Sequence, residues 1–395
     1  MIRAGCIAFF LCAVLRPAAA AEPLKVPLGY LARPETVGTI SLLDQPAANN
    51  GVAGAQLAVQ DNNTTGRFLN QSFSLEAIKL ADEADPATAV NQQFADRGIS
   101  FVLADLPAEA LLRAADVGRE RGLIFFNISA PDDRLRQEDC RANIIHVAPS
   151  RAMLADGLGQ YLAWKRWRRW LLVLGSHEPD KLYAAALRRA AVRFGAKIVQ
   201  ERVFEDTGGA RRSDTGLVQI QSQIALFTQS APAYDVLVAA DESQVFAPYL
   251  PYRTSEPKLV AGSSGLMPSS WDAAHDQWGA IQLQNRFNRI FSRRMTTLDM
   301  QAWTGIRMVG EAVGRTQSTD AAKAFAYIKG PEFALAAFKG RKLTVRDWDL
   351  QLRQPILLGD GRVVVSVSPQ EGFLHQYSEL DTLGFDRPET QCHLK

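Results

Sequence analysis

Apolar residues recur along the chain in two rhythms. Short apolar runs and every-second-residue patterns mark strands, and spacings of three and four mark helices. Residues 25–31 read as a first strand, and 49–62 as a helix with Ala53, Leu57 and Ala58 on one face. Residues 72–80 alternate as a strand. Pro86 opens a helix to about Arg97, because proline suits a first turn. Residues 99–104 form a short apolar strand, Pro107 opens a helix ending near Gly122, and 123–127 form another strand.

A second block repeats this alternation. Ser150 is placed to cap a helix that reaches Trp167. Strands are predicted at 170–175, 197–203, 235–240 and 258–261, with helices at 179–194 and 215–227 between them. Strand–helix alternation of this kind builds parallel sheets covered by helices on both faces. The fold class is therefore α/β, and two blocks imply two lobes. From Gln277 the rhythm changes to three successive helices, near 277–292, 298–315 and 319–329. A β-rich tail follows, with strands at 343–345, 355–358 and 363–367. The last two flank Gly359-Asp360-Gly361, a hairpin turn signal.

The first 21 residues stand outside this pattern. Arg3 precedes an apolar stretch at 4–15, and Ala18 to Ala21 offer a small-residue cleavage site. This is the three-part form of a secretory signal peptide, too short to remain as a membrane span. Cleavage would leave 42 basic and 42 acidic residues. That balance gives no electrostatic footprint for nucleic acid. Of four cysteines, Cys140 and Cys392 would remain, and an oxidising compartment favours one disulfide between them.

In open α/β sheets, ligands bind beyond the carboxyl ends of the strands. The residues there are Tyr30, Arg33 and Glu35, then Asp105, then Asn127 and Ser129 in the first block. In the second they are Ser176, His177, Glu178 and Asp180, then Asp241 and Glu242, then Ser263 and Ser264. Each of these residue types also caps helices. As a set at one sheet end they define a cleft. Signals of an enzyme are weak. The five histidines show no metal-ligand spacing, and no phosphate-binding glycine loop or nucleophile elbow occurs. No metal and no required cofactor is expected. Trp164-Lys165-Arg166-Trp167-Arg168-Arg169-Trp170 has two readings. One is a stacking anion or nucleic-acid patch. The other is a helix end, whose cations face the negative dipole end, followed by a strand start remote from the cleft.

Gly51-x-x-Gly54-Ala55-Gln56-Leu57-Ala58-Val59-Gln60-Asp61 and Phe194-Gly195-Ala196-Lys197-Ile198-Val199 resemble motifs of type I periplasmic binding proteins of the leucine/branched-chain amino acid group. The C-terminal third is similar to a subgroup described as substrate-binding proteins of an ABC transporter in the pyrroloquinoline quinone (PQQ)-dependent alcohol dehydrogenase system. Its words are residues 278–287, Ala302-Trp303, 338–341, 351–355, 372–376 and 379–384.

The resemblance implies two Rossmann-like lobes joined by hinge crossovers. The first lobe would hold residues 22–148 and about 277–342, and the second 149–276 and about 343–395. It implies a periplasmic monomer without enzymatic activity that closes on a small ligand and hands it to an ABC permease. Amino-acid binders of the group hold the carboxylate with hydroxyl residues and the ammonium with an acid. Here Asp105 stands at the first place and Ser263 with Ser264 at the second, which departs from that pattern, and the genomic association of the resembled subgroup points instead to the quinone or an alcohol-derived metabolite. A flat polycarboxylate would use arginine forks and aromatic faces, and Tyr30, Arg33, Trp271 and Trp278 are candidates. Two other roles stay open, a ligand sensor acting on a receptor or dehydrogenase, and an amino-acid binding protein.

Overall fold

A computed structural model describes residues 22–33, 45–206 and 220–394. The signal-peptide segment, Glu35 and the first residues of the helix expected at 215–227 lie outside them.

The first block folds as β1 (Leu24–Ala32), α1 (Val52–Leu69), β2 (Gln71–Lys79), α2 (Pro86–Ala89), β3 (Phe101–Asp105), α3 (Ala108–Glu120), β4 (Ile124–Asn127) and β5 (Ile144–His146). The strands form one parallel sheet in the order β2-β1-β3-β4-β5. The helix expected from Pro86 to Arg97 keeps α-helical pitch for only one turn, then widens over Val90–Phe94 and tightens over Ala95–Arg97. Phe94 is wholly buried there, against the backbone of Gly29.

The second block folds as α4 (Arg151–Trp164), β6 (Arg169–Gly175), α5 (Glu178–Arg193), β7 (Lys197–Phe204), α6 (Ile220–Thr228), β8 (Val236–Ala240), α7 (Leu250–Arg253) and β9 (Leu259–Gly262). Its parallel sheet runs β7-β6-β8-β9. The chain continues through β10 (Met267–Ser269), α8 (Ala280–Phe291), α9 (Thr297–Thr316), α10 (Ala321–Lys329), β11 (Leu335–Ala336), β12 (Lys342–Val345), β13 (Leu352–Arg353), β14 (Ile356–Gly359) and β15 (Val364–Ser368). The last two are antiparallel around the expected turn. Strands β5, β10, β11 and β13 are two or three residues long, too short to show alternation in sequence.

The inner strands of each parallel sheet are buried on both faces and apolar nearly throughout, whereas the edge strands β2 and β7 carry polar, partly exposed residues. One face of the first sheet packs against α1, α8 and α9 through Leu28, Leu57, Leu103, Leu283, Ile306 and Val309. The other packs against α2 and α3 through Leu31, Val90, Val102 and Leu111. The second sheet packs against α4 and α5 on one face, joined there by Ile356, Leu358 and Leu383. Its opposite face holds Leu171, Val173, Ile224 and Phe246. The late helices thus complete the first lobe, and β14 and the tail complete the second. Cys140 and Cys392 are disulfide-bonded with their Cα atoms 5.6 Å apart, so the tail is fastened to the loop before β5.

The glycine motif at the start of α1 has a local cause. Asp299, at the start of α9, accepts hydrogen bonds from the Gly51 and Gly54 amides at 2.8 and 3.3 Å. Gly51 has φ 78°, a left-handed conformation that glycine adopts without steric cost. A Cβ on Gly54 would lie 1.9 Å from the Asp299 carbonyl oxygen. The motif therefore brings two helices into backbone contact.

Candidate functional site

Both parallel sheets have a point where strand order reverses. In the first lobe it lies between β1 and β3, and in the second between β6 and β8. Crevices outside the carboxyl ends of strands at such points are the usual ligand sites of open α/β sheets. Arg33 follows β1 and Asp105 ends β3. Ser176 and His177 follow β6, and Asp241 and Glu242 follow β8.

In the first lobe, the Tyr30 hydroxyl donates to Asp105 Oδ2 at 3.1 Å, beneath Gly51. Tyr30 is buried, and burial first, then the Asp105 charge, raises its pKa, so the phenol stays protonated. Asn127 is folded back on its own loop. Its amide donates to the Ala130 carbonyl at 2.9 Å, and its Oδ1 accepts from the Ala130 amide at 2.9 Å. It also meets Nδ1 of buried His146 at 3.1 Å. Ser129 donates to the Leu106 carbonyl at 3.4 Å and keeps its acceptor sites. The Arg33 guanidinium donates through Nη2 to the Ala84 carbonyl, while its Nε has no partner.

In the second lobe, Asp241 accepts the Val245, Phe246 and Ala247 amides at 2.6–2.9 Å. Burial raises its pKa, against the lowering effect of those three amides. Ser263 Oγ accepts from the Asp241 amide at 2.8 Å. His177 precedes α5 and pairs with Asp206 at 2.8 Å, with its side chain 45% exposed. Ser264, next to Ser263 in the loop after β9, is nearly buried.

The structure therefore sorts the expected site residues. Tyr30, Asn127, Asp241 and Ser263 are engaged in local hydrogen bonds that shape the loops. Arg33, Ser129, His177 and Ser264 retain hydrogen-bonding capacity at the crevices. Trp271 is 2% exposed and belongs to the first-lobe core, so it offers no face to a cleft. Trp278 is half exposed, but its ring lies against Gly340, which covers one face.

Sequence reading missed one centre. Arg151, the first residue of α4, donates to both Glu242 oxygens at 2.7–3.1 Å. Its Nη1 faces Asp132 of the first lobe at 3.4 Å. The Arg151 amide also donates to the Pro131 carbonyl, and the Ala152 amide to Asp133 Oδ1 at 2.9 Å. The start of α4 is thereby tied to the loop after β4, across the first crossover. The partners of Arg151 are far apart in sequence, so no local pattern marks them. Arg136 and Gln351 reinforce the crossovers. Arg136 is buried and donates to Gln351 Oε1 at 2.9 Å and to the Ala148 carbonyl at 2.7 Å. Burial pushes its pKa down to about 10.

The tryptophan–arginine run adopts the helix-end arrangement. Trp170 is buried and its indole donates to the Trp167 carbonyl at 2.8 Å. Lys165 lies 4.5 Å over the Trp164 ring. The segment joins the end of α4 to the first residues of β6, at the sheet end opposite the crevices. No helix among the described residues is long and apolar enough to cross a membrane.

A family model described as periplasmic binding protein matches residues 36–359. The chain belongs to that family. Solved structures with the same fold include a branched chain amino acid ABC transporter periplasmic ligand-binding protein from Burkholderia xenovorans. It is 18% identical, with 87% of this chain and 95% of that one covered and a TM-score of 0.69. A leucine-, isoleucine-, valine-, threonine- and alanine-binding protein from Brucella ovis, in closed conformation, is 14% identical at 95% and 100% coverage, with a TM-score of 0.68. A solute binding protein of an ABC transporter from R. palustris, in complex with benzoate, is 12% identical at 94% and 100% coverage, with a TM-score of 0.66. No curated protein sequence matches the chain. This member of the periplasmic binding protein family thus has two α/β lobes of the kind those structures share.

Proposed function

We propose that this periplasmic binding protein takes up a small oxygen-rich organic acid between its lobes and delivers it to an ABC permease serving PQQ-dependent alcohol oxidation. PQQ itself is the first ligand to test. One observation carries the reading. The Arg33 guanidinium, after β1, is a charged donor whose Nε is unpartnered, and the hydroxyls of Ser129 and Ser264 stand in the loops after β4 and β9. An arginine fork with hydroxyls suits carboxylate and quinone oxygens. The acids that could hold an amino-acid ammonium are occupied, Asp105 by Tyr30 and Asp241 by three amides. The resemblance of the C-terminal third to the PQQ-linked subgroup supports the same direction, and the benzoate-bound neighbour is a case of this fold accepting an aromatic acid.

The test is a titration of residues 22–395 with PQQ, small organic acids, leucine and alcohols, read by tryptophan fluorescence and melting temperature. A ligand at about 100 times its Kd stabilises the folded state by roughly 2.7 kcal/mol. We expect saturable binding of PQQ or another acid, and at least a tenfold weaker Kd for Arg33→Gln. Binding of leucine with no response to any of the acids would replace this reading with an amino-acid binder.

A further inference from the structure

A second polar site lies on the outer side of the first lobe, away from the carboxyl ends of its strands. α1 and α9 diverge there over the edge of β2 and leave a pocket of about 250 Å³. Arg307, Asn62, Thr65, Gln71 and the Glu311–Arg315 pair supply its polar lining, and Leu69 and Phe73 its apolar wall.

The charges around this pocket do not balance. Asp61 Oδ2 accepts from Arg286 Nη2 at 2.8 Å and from the Trp303 indole at 2.8 Å. Glu311 pairs with Arg315 at 2.9 Å. Each acid is thus engaged by another arginine. Arg307, half-buried between them, donates through Nη1 to the neutral Asn62 Oδ1. Burial lowers its pKa despite the opposing effect of Asp61 and Glu311. Three guanidinium groups meet two carboxylates, and the one without an acid of its own lines the pocket beside the mutually neutralised Glu311–Arg315 pair.

The backbone of α9 keeps that space clear. Gly310 sits so close to α1 that a Cβ would lie 2.3 Å from Asn62 Oδ1. At Gly314 a Cβ would meet only Leu69, at 3.7 Å. A helical glycine with room for a side chain costs helix stability unless the space serves a purpose. The geometry points to a binding site for a small aliphatic carboxylate in this pocket, its anionic end on Arg307 and its chain against Leu69 and Phe73. Bidentate guanidinium–carboxylate pairing would complete the charge set.

The Trp303 indole, bonded to Asp61 and with its ring 5.9 Å from the Arg307 guanidinium, reports on the site independently of the interlobe cleft. The experiment is 15N–1H NMR of the tryptophan indoles in the full mature chain, with Trp303 assigned by Trp303→Phe. Butyrate is the probe, butyramide the neutral isostere and chloride the ionic-strength control. We expect butyrate alone to shift the Trp303 signal saturably. Arg307→Gln should weaken the apparent affinity at least tenfold and Arg307→Lys less. Gly314→Leu, which fills the pocket and leaves the guanidinium in place, should also abolish the shift. An equal response to butyramide, or a butyrate shift unchanged in both Arg307→Gln and Gly314→Leu, would overturn the assignment. So would the lack of any saturable shift in the wild type.

Discussion

At the residue scale, Lys339 is a charged side chain set in an environment that opposes its charge. It is buried, and its ammonium donates to the neutral Gln354 Oε1 at 2.6 Å. Gln354 in turn donates to the Val147 carbonyl on the first crossover at 2.6 Å. Burial lowers the Lys339 pKa from 10.5 to about 7. Between those values the unfolded chain binds the proton more tightly than the native one. Stability from this residue must therefore rise with pH from about 7 toward 10, and the full penalty applies below 7. Urea denaturation at pH 6, 7.5 and 9 should show this rise in the wild type and a flatter profile in Lys339→Met. The difference is expected to be a few kcal/mol at pH 6. A pH-independent difference between the two would mean that Lys339 titrates as an ordinary lysine. This centre was not legible in sequence. A lysine in a Phe-Lys-Gly-Arg turn reads as exposed, and only the fold carries it inward to Gln354. Asp241 shows the converse. Its place after a strand was read correctly, but the sequence offered no way to tell a ligand contact from a carboxylate that holds three amides of its own loop.

At the element scale, sequence legibility followed length and burial. The inner parallel strands were visible because both faces are covered and their residues are almost continuously apolar, and the edge strand β2 because its residues alternate. Strands β5, β10, β11 and β13 are only two or three residues long, so no local period announces them. Helix starts were readable where a cap or a proline marks them. Ser150 accepts the Met153 amide at 3.2 Å, as its position suggested. The junction of α1 and α9 needed coordinates, because the Gly51–Gly54 motif acquires its meaning from Asp299, some 245 residues away. Gly54→Ala is the corresponding test. Its methyl group would overlap the Asp299 backbone carbonyl, which cannot rotate away. We expect a loss of roughly 2–4 kcal/mol in chemical denaturation, in the range of severe overpacking. Ala53, one position earlier, is also buried, yet only the Gly54 site brings helix backbone against helix backbone. A change below about 0.5 kcal/mol at Gly54 would show that α9 shifts to accommodate the methyl.

At the scale of the whole molecule, the two lobes meet through an ion triad whose arms have different destinations. Arg151 is bidentate to Glu242 of its own lobe and faces Asp132 of the other. All three groups are shielded, so the interaction is screened less than a surface pair. The two acids compete for one guanidinium, which gives their removal opposite consequences. Asp132→Asn takes away the charge of the interlobe arm facing Nη1 and leaves Nε and Nη2 of Arg151 on Glu242. Lobe opening should become easier by about 1 kcal/mol, the scale of one weak charge-assisted contact. Glu242→Gln removes the competing acid, so Arg151 should turn toward Asp132 and favour the closed arrangement. Small-angle scattering of the ligand-free protein distinguishes the two. We expect a larger radius of gyration for Asp132→Asn and an equal or smaller one for Glu242→Gln. Hinge closure around a ligand requires the open and closed arrangements to differ by only a few kcal/mol, so a change of this size is enough to alter their populations measurably. If both variants match the wild type, Arg151 serves only to hold the β8 loop. The hinge would then be governed by the backbone-directed bonds of Arg136, Gln351 and Gln354 at the crossovers.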